Sequence, residues 1–127
     1  MFSIGNVTLG RTMTVKEIAA ILEARVAVGA EHMDRTVECA GAADMQSVIL
    51  ARGQRDMILL TSQLSLQTIH SCALSDVSVV VLVRGTELYP RARLEAGEQD
   101  MVVLTVPHTL YESCGRLYAA GLPGVKI

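Results

Sequence analysis

The chain has 127 residues, a net charge of −2, half of its residues apolar and only 3% aromatic. That length buries a core without disulfide or metal staples, and the missing basic surplus and scarce aromatic rings argue against nucleic-acid binding. No apolar run is long enough to cross a bilayer, and MFSIGNVTLGRTM lacks the basic start and long apolar block of a secretory signal, so a soluble cytoplasmic protein with no membrane partner is expected.

In chain order, residues 1–13 are Gly-punctuated and weakly patterned, an expected loose arm or edge strand. A helix opens at TVKEIAAILEA, where Thr14 and Glu17 have capping-box spacing and Val15, Ile18, Ile21 and Leu22 share a face. ARVAVG (24–29) fits a short strand and HMDR a turn. RTVECAGAA (35–43) fits a second extended segment whose small residues permit close backbone approach. Asp44 is placed to cap the helix MQSVILARG, which Gly53 ends.

DMILLTS (56–62) reads as a buried strand, and LSLQTIHSCALSD (64–76) as a helix with Leu66, Ile69, Ala73 and Leu74 inward. VSVVVLV (77–83) is apolar enough to be a strand covered on both faces. A helix around PRARLEAGE follows, with Pro90 near its first turn. MVVLTV (101–106) is another strand, and TLYESCGRLYAAG (109–121) a closing helix stopped by Gly121 and Pro123. Strand and helix alternate through the second half with short connections, which points to crossovers and a mainly parallel sheet. The expected fold is one α/β domain spanning residues 1–127.

Cys39, Cys72 and Cys114 are odd in number and widely spaced, without a CxxC pair, which disfavours both a disulfide framework and a zinc knuckle. Each is expected to be a small buried apolar residue. His32, His70 and His108 have no metal-binding spacing, so no metal and no cofactor is expected. The chain has no GxxxxGKS or GxxxxGKT, no GxGxxG after a strand and no GxSxG, and no paired carboxylates inside apolar segments. No catalytic residues are expected, and the chain is not expected to be an enzyme.

Polar residues gather at the expected strand ends: Thr61, Ser62 and Gln63 after DMILL, Arg84, Gly85 and Thr86 after VVVLV, and His108 and Thr109 after MVVLTVP. Parallel neighbouring strands put all three groups along one sheet edge, where ligands of open α/β sheets sit. Helix N-termini nearby favour an anion, and Arg84 supplies a planar donor fork for phosphate or carboxylate. With Asp44, these eight residues form the expected ligand site. The alternative is that Ser62 and Thr109 are helix caps, that Gln63 and His108 are solvated turn residues, and that Arg84 pairs with Glu87.

DRTVECAGAADM (34–45), ILLTSQ (58–63) and PHTLYESCGRLYAAGL (107–122), in this order and spacing, resemble the DRTGG domain. The likeness covers roughly residues 12–122 and is nearest to the small stand-alone form encoded beside iron-only hydrogenase genes in anaerobic bacteria. Asp34, Arg35, Asp44, Thr61 and Gln63 match the family pattern, and Pro107, Glu112, Gly115, Arg116 and Leu117 match its closing helix. The family's usual Thr-Gly-Gly after the VVVLV strand is replaced here by Val83, Arg84 and Gly85. Cys39 and Ala40 stand where close relatives carry a glycine pair.

The resemblance implies a three-layer α/β/α fold with a mainly parallel, mixed sheet, like the N-terminal domains of HPr kinase and of the MurF ligase. It also implies the company of CBS domains, as in some pyrophosphatases and phosphotransacetylases, and a regulatory or dimer-forming role. The kinase activity of HPr kinase is not expected, because the Walker loop is missing. The expected function is therefore a non-catalytic regulatory module, a homodimer that binds a nucleotide or other anionic small molecule at the strand ends. The alternative is a purely structural protein-interaction module serving a hydrogenase or redox system.

Overall fold

Each buried strand points alternate side chains into two separate apolar layers, and this alternation organises the structure, a computed structural model that describes residues 2–4 and 7–126. In chain order the elements are β1 (Phe2–Ile4), β2 (Val7–Leu9), β3 (Met13–Thr14), α1 (Val15–Leu22), β4 (Arg25–Val28), β5 (Thr36–Val37), β6 (Cys39–Ala42), α2 (Gln46–Arg52), β7 (Met57–Thr61), α3 (Leu66–Leu74), β8 (Val79–Leu82), α4 (Pro90–Glu98), β9 (Val102–Thr105) and α5 (Leu110–Ala119). The central sheet has the order β4-β9-β8-β7-β6. Strands β6 to β9 are mutually parallel, and β4 runs antiparallel to β9 at one edge.

Ile58, Leu60, Val79, Val81, Val102 and Leu104 face α1 and α5, whereas Met57, Leu59, Val80, Leu82 and Val103 face α2, α3 and α4. The result is a helix–sheet–helix sandwich with a mixed, mostly parallel sheet, as the alternating pattern predicts. It also explains the unbroken VVVLV run. Neither face of β8 meets water, so neither face can carry polar residues. Burying each such Val, Leu or Ile contributes about 1.5–3 kcal/mol. No helix among the described residues is long and apolar enough to cross a membrane.

Helix α1 forms where its sequence dictates. The Thr14 hydroxyl accepts from the Glu17 N–H at 3.2 Å while the Glu17 carboxylate accepts from the Thr14 N–H at 3.1 Å. This reciprocal cap satisfies two of the helix's free donors, and Val15, Ile18 and Leu22 are fully buried beneath it. The helix ends at Glu23, whose φ of 55° is left-handed.

Two local expectations are corrected. The extended segment 35–43 is two strands: β5 pairs with β3 in a separate ladder, and only β6 joins the central sheet. At the break the Glu38 N–H donates to the Asp56 carbonyl at 2.8 Å, and ahead of β5 the Arg35 guanidinium donates to the Asp100 carbonyl at 2.8 Å and the Ser78 carbonyl at 3.3 Å. In α3, Leu74 is 80% exposed, and the inward side is built by Thr68, Ile69, Ser71 and Cys72. The true phase follows the Ser65 cap, which accepts from the Thr68 N–H at 3.1 Å.

Gly53 does close α2, but with φ −61° rather than a left-handed turn. A Cβ there would lie 2.6 Å from both the Ile49 carbonyl oxygen and the Ser75 Cβ. The glycine is required by close packing. At the far edge, β6 is stitched to the C-terminal segment: the Ala40 N–H donates to Pro123 O at 2.9 Å, and the Val125 N–H to Ala40 O at 2.8 Å.

Candidate functional site at the carboxyl edge of the sheet

Parallel strands β6, β7, β8 and β9 deliver their carboxyl ends to one edge, and antiparallel β4 delivers its first residue, Arg25, to the same edge opposite Thr105. The three polar groups expected together are therefore neighbours. The Val83 N–H donates to Thr61 O at 3.1 Å, the Arg84 N–H to His108 O at 2.8 Å and the Gly85 N–H to Val106 O at 2.8 Å.

Asp44 does not cap α2, whose N-cap is Met45 with no side-chain bond. Its carboxylate instead reaches across to the end of β7. Oδ1 accepts from the Thr61 hydroxyl at 2.7 Å and the Ser62 N–H at 2.8 Å, while Oδ2 accepts from the Ser62 hydroxyl. Thr61 also donates to the Gln63 carbonyl at 3.2 Å. These bonds, led by the Ser62 hydroxyl and N–H, hold the Asp44 carboxyl below the usual carboxylate range, with a smaller contribution from the Arg84 charge. The network uses up the polar atoms of Asp44, Thr61 and Ser62 on one another, which makes it a brace between β6 and β7. Ser62 is not a helix cap, since Ser65 fills that position.

The chain leaves β8 toward α4 on one face and β9 toward α5 on the other. Adjacent connections that diverge in this way open a crevice where α/β ligands bind. Here the crevice is bridged by the Arg84–His108 and Gly85–Val106 backbone bonds. Both Arg84 and Gly85 are left-handed, at φ 62° and 66°. That conformation favours glycine, and only the second of the two positions holds one. The Arg84 side chain has no salt-bridge partner among the described residues, so the expected pair with Glu87 is not formed.

The side chains of His108 and Thr109 are engaged by the end of α1 and by α5. Thr109 caps α5 by accepting from the Glu112 N–H at 3.1 Å. The His108 side chain is only 15% exposed, with Nε2 3.3 Å from the Glu23 carboxylate. The approach is off the hydrogen-bonding direction, so Nε2 is buried with an electrostatic neighbour and no hydrogen-bond partner. Glu23 also pairs with Arg116 at 3.1 Å, and Arg116 with Glu112 at 2.9 Å. Arg116 thereby ties the end of α1 to α5.

Beside the bridged crevice, on the α4 face, lies a polar cavity of about 530 Å³. Arg25, Thr105 and Val106 border it from the sheet, Gly85, Thr86 and Glu87 from the loop after β8, and Arg93 from α4. Of the expected site residues, Gly85 and Thr86 line this cavity, whereas Asp44, Thr61, Ser62, Gln63, Arg84, His108 and Thr109 do not. Arg25, Arg93 and Thr105 are absent from the sequence-based site. Arg25 was legible in principle: had ARVAVG been placed antiparallel, its first residue would fall at the carboxyl ends of the others.

A second cavity, about 600 Å³ and mostly apolar, lies between the β6 edge and α5. Ala40, Ala42 and Leu60 form its floor, and Tyr111, Cys114 and Tyr118 its wall. Tyr111 is 88% exposed. No group of three or more potential metal-ligating side chains occurs among the described residues.

No family model matches this chain. No curated protein matches it either. Among solved structures it is similar to the CBS and DRTGG domains of the regulatory region of Clostridium perfringens pyrophosphatase, a structure complexed with the activator diadenosine tetraphosphate. The TM-score is 0.69 at 14% identity, over 90% of this chain and 50% of that one. The chain thus spans about half the length of the structure it matches, and the likeness is one of fold.

Proposed function

We propose that this chain is a regulatory, ligand-sensing module that holds a nucleotide-like or other anionic small molecule at the carboxyl edge of its sheet. The observation that carries the reading is the convergence at that edge of five strand ends, three arginines (Arg25, Arg84 and Arg93) and an open polar cavity. None of the three guanidiniums has an acidic partner among the described residues. Arg25 and Arg93 border the cavity and Arg84 stands at the adjoining crevice, and guanidinium forks without a carboxylate partner suit a phosphate or carboxylate. The fold likeness to a regulatory region bound to a nucleotide activator agrees with this reading.

Thermal unfolding with AMP, ADP, diadenosine polyphosphates and inorganic phosphate tests it. A ligand at 100 times its dissociation constant adds about 2.7 kcal/mol to the folded state. An unchanged melting temperature with all of them at millimolar concentration refutes the proposal.

The module works as a homodimer in this reading. Exposed apolar side chains flank the β6 edge, Met45, Val48 and Leu50 on the α2 side and Tyr111 and Tyr118 on α5. An isologous contact over that edge removes them from water. Sedimentation of the wild type as a dimer and of Tyr111→Glu as a monomer is the expected result; a monomeric wild type counts against it. The same exposed apolar side chains support a second reading, a structural interaction module without a small ligand, which predicts silence in the thermal assay together with stable capture of a defined protein partner.

A further inference from the structure

We propose that the cavity between β4 and α4 is a phosphomonoester site in which Arg25 and Arg93 hold the phosphoryl group and Thr86 and Thr105 add hydroxyl donors. This rests on the strand-end ligand reading above and moves its centre away from Asp44 and Arg84. Arg25 and Thr105 are direct cross-strand neighbours, so their side chains rise from the same face of the sheet. That is the face α4 covers, because Thr105 shares the parity of Val103 in the α4 layer.

From α4, Arg93 reaches the β4 backbone and donates one N–H to the Ala27 carbonyl. This bond pins the guanidinium at the cavity and leaves its other donors free for a ligand. The two arginines thus approach one space from opposite walls, sheet and helix, as a clamp on a dianion requires.

Two acidic residues also border the cavity. Glu23 borders it but is neutralised by Arg116 at 3.1 Å and faces His108 at 3.3 Å. Glu87 is exposed and has no salt-bridge partner among the described residues. It borders the cavity too, where its charge opposes an anion that the two arginines attract, so removing that charge should tighten binding. The volume of about 530 Å³ falls within the range of small-molecule pockets. It accommodates a phosphoryl group with a sugar or mononucleotide body.

Isothermal titration of the full chain with AMP, ribose 5-phosphate, inorganic phosphate and uncharged adenosine tests the proposal. The proteins are the wild type and the Arg25→Gln, Arg93→Gln, Arg84→Gln, Glu87→Gln and Arg55→Gln variants, the last a control for net charge far from the cavity. The wild type is expected to bind AMP and not adenosine. Arg25→Gln and Arg93→Gln each weaken AMP by about tenfold or more, the loss of a charge-assisted contact, while Glu87→Gln tightens it and Arg55→Gln leaves it unchanged.

Ribose 5-phosphate binding as well as AMP assigns recognition to the phosphoryl group and sugar; a marked preference for AMP assigns it to the phosphoryl group and base. The Arg25 side chain makes no hydrogen bond or salt bridge among the described residues, so its variant remains decisive if Arg93→Gln melts early. Retained AMP binding in both arginine variants, with loss confined to Arg84→Gln, overturns this placement and leaves the proposed function standing. Binding of adenosine equal to AMP overturns the phosphoryl assignment. No heat from any ligand at millimolar concentration overturns the placement and the ligand-sensing reading together.

Discussion

Arg84 donates its backbone N–H to the carbonyl of His108 at 2.8 Å, so the loop leaving β8 and the loop leaving β9 are hydrogen-bonded to each other. Arg84 makes this bond from the left-handed region, at φ 62°, immediately before a left-handed glycine. An L-residue in that region carries a cost of about 1–2 kcal/mol that glycine avoids. Arg84→Gly is therefore expected to stabilise the ligand-free protein by about 0.5–1 kcal/mol, since greater freedom of the unfolded chain offsets part of the relief. Urea unfolding measures the difference. A destabilised variant would mean that the guanidinium makes a folded-state contribution larger than the backbone cost.

Asp44 predicts both a mutational and a pH effect. Its carboxylate accepts from Thr61 and twice from Ser62, so Asp44→Ala is expected to cost about 1–2 kcal/mol, reduced from the sum of the bonds because the site is partly open to water. The folded-state affinity for a proton is lowered. As pH falls, the unfolded chain therefore takes up the proton first. Stability from this group is complete above the ordinary Asp value of about 3.9 and is lost as pH drops through the lower folded value. The acid limb of a stability–pH profile between pH 6 and 2.5 should be shallower in Asp44→Ala than in the wild type.

Thiol reactivity should separate the cysteines. Cys72 is completely buried, and burial pushes its thiol up to about 12. Cys39 and Cys114 are half-buried, and burial raises both as well. With Ellman's reagent at pH 8, Cys39 and Cys114 should react slowly in the native protein and Cys72 only on unfolding. A Cys39→Ser/Cys114→Ser double variant that still labels rapidly when folded would contradict this placement.

Gly53→Ala is expected to destabilise by about 1–3 kcal/mol, the range for overpacking a filled site. The added carbon meets a backbone oxygen and a Cβ at 2.6 Å, and neither can swing aside. Thermal and urea unfolding measure it. A neutral result would show that the α2–α3 packing yields at little cost.

The layers were legible because burial on both faces of a strand leaves an unbroken apolar run, and Met57–Leu60 and Val79–Val83 are such runs. The α1 cap was legible because its partners lie three residues apart. The phase of α3 was not: Leu74 looks inward by composition, yet the helix is set by the Ser65 cap and by Thr68 and Ser71, polar residues that count against burial in any pattern. The carboxyl edge was legible from strand alternation, but the cavity was not. It depends on β4 running antiparallel and on Arg93 projecting from a helix, and neither is encoded near Arg84 in the chain.

Arg35 bolts the sheet at its amino edge, donating to the Ser78 and Asp100 carbonyls that precede β8 and β9. Arg35 therefore sits at the rim opposite the one that carries Arg84 and the His108 carbonyl. Losing the Arg35 guanidinium should loosen the joint between β8 and β9 while leaving the lining of the polar cavity in place.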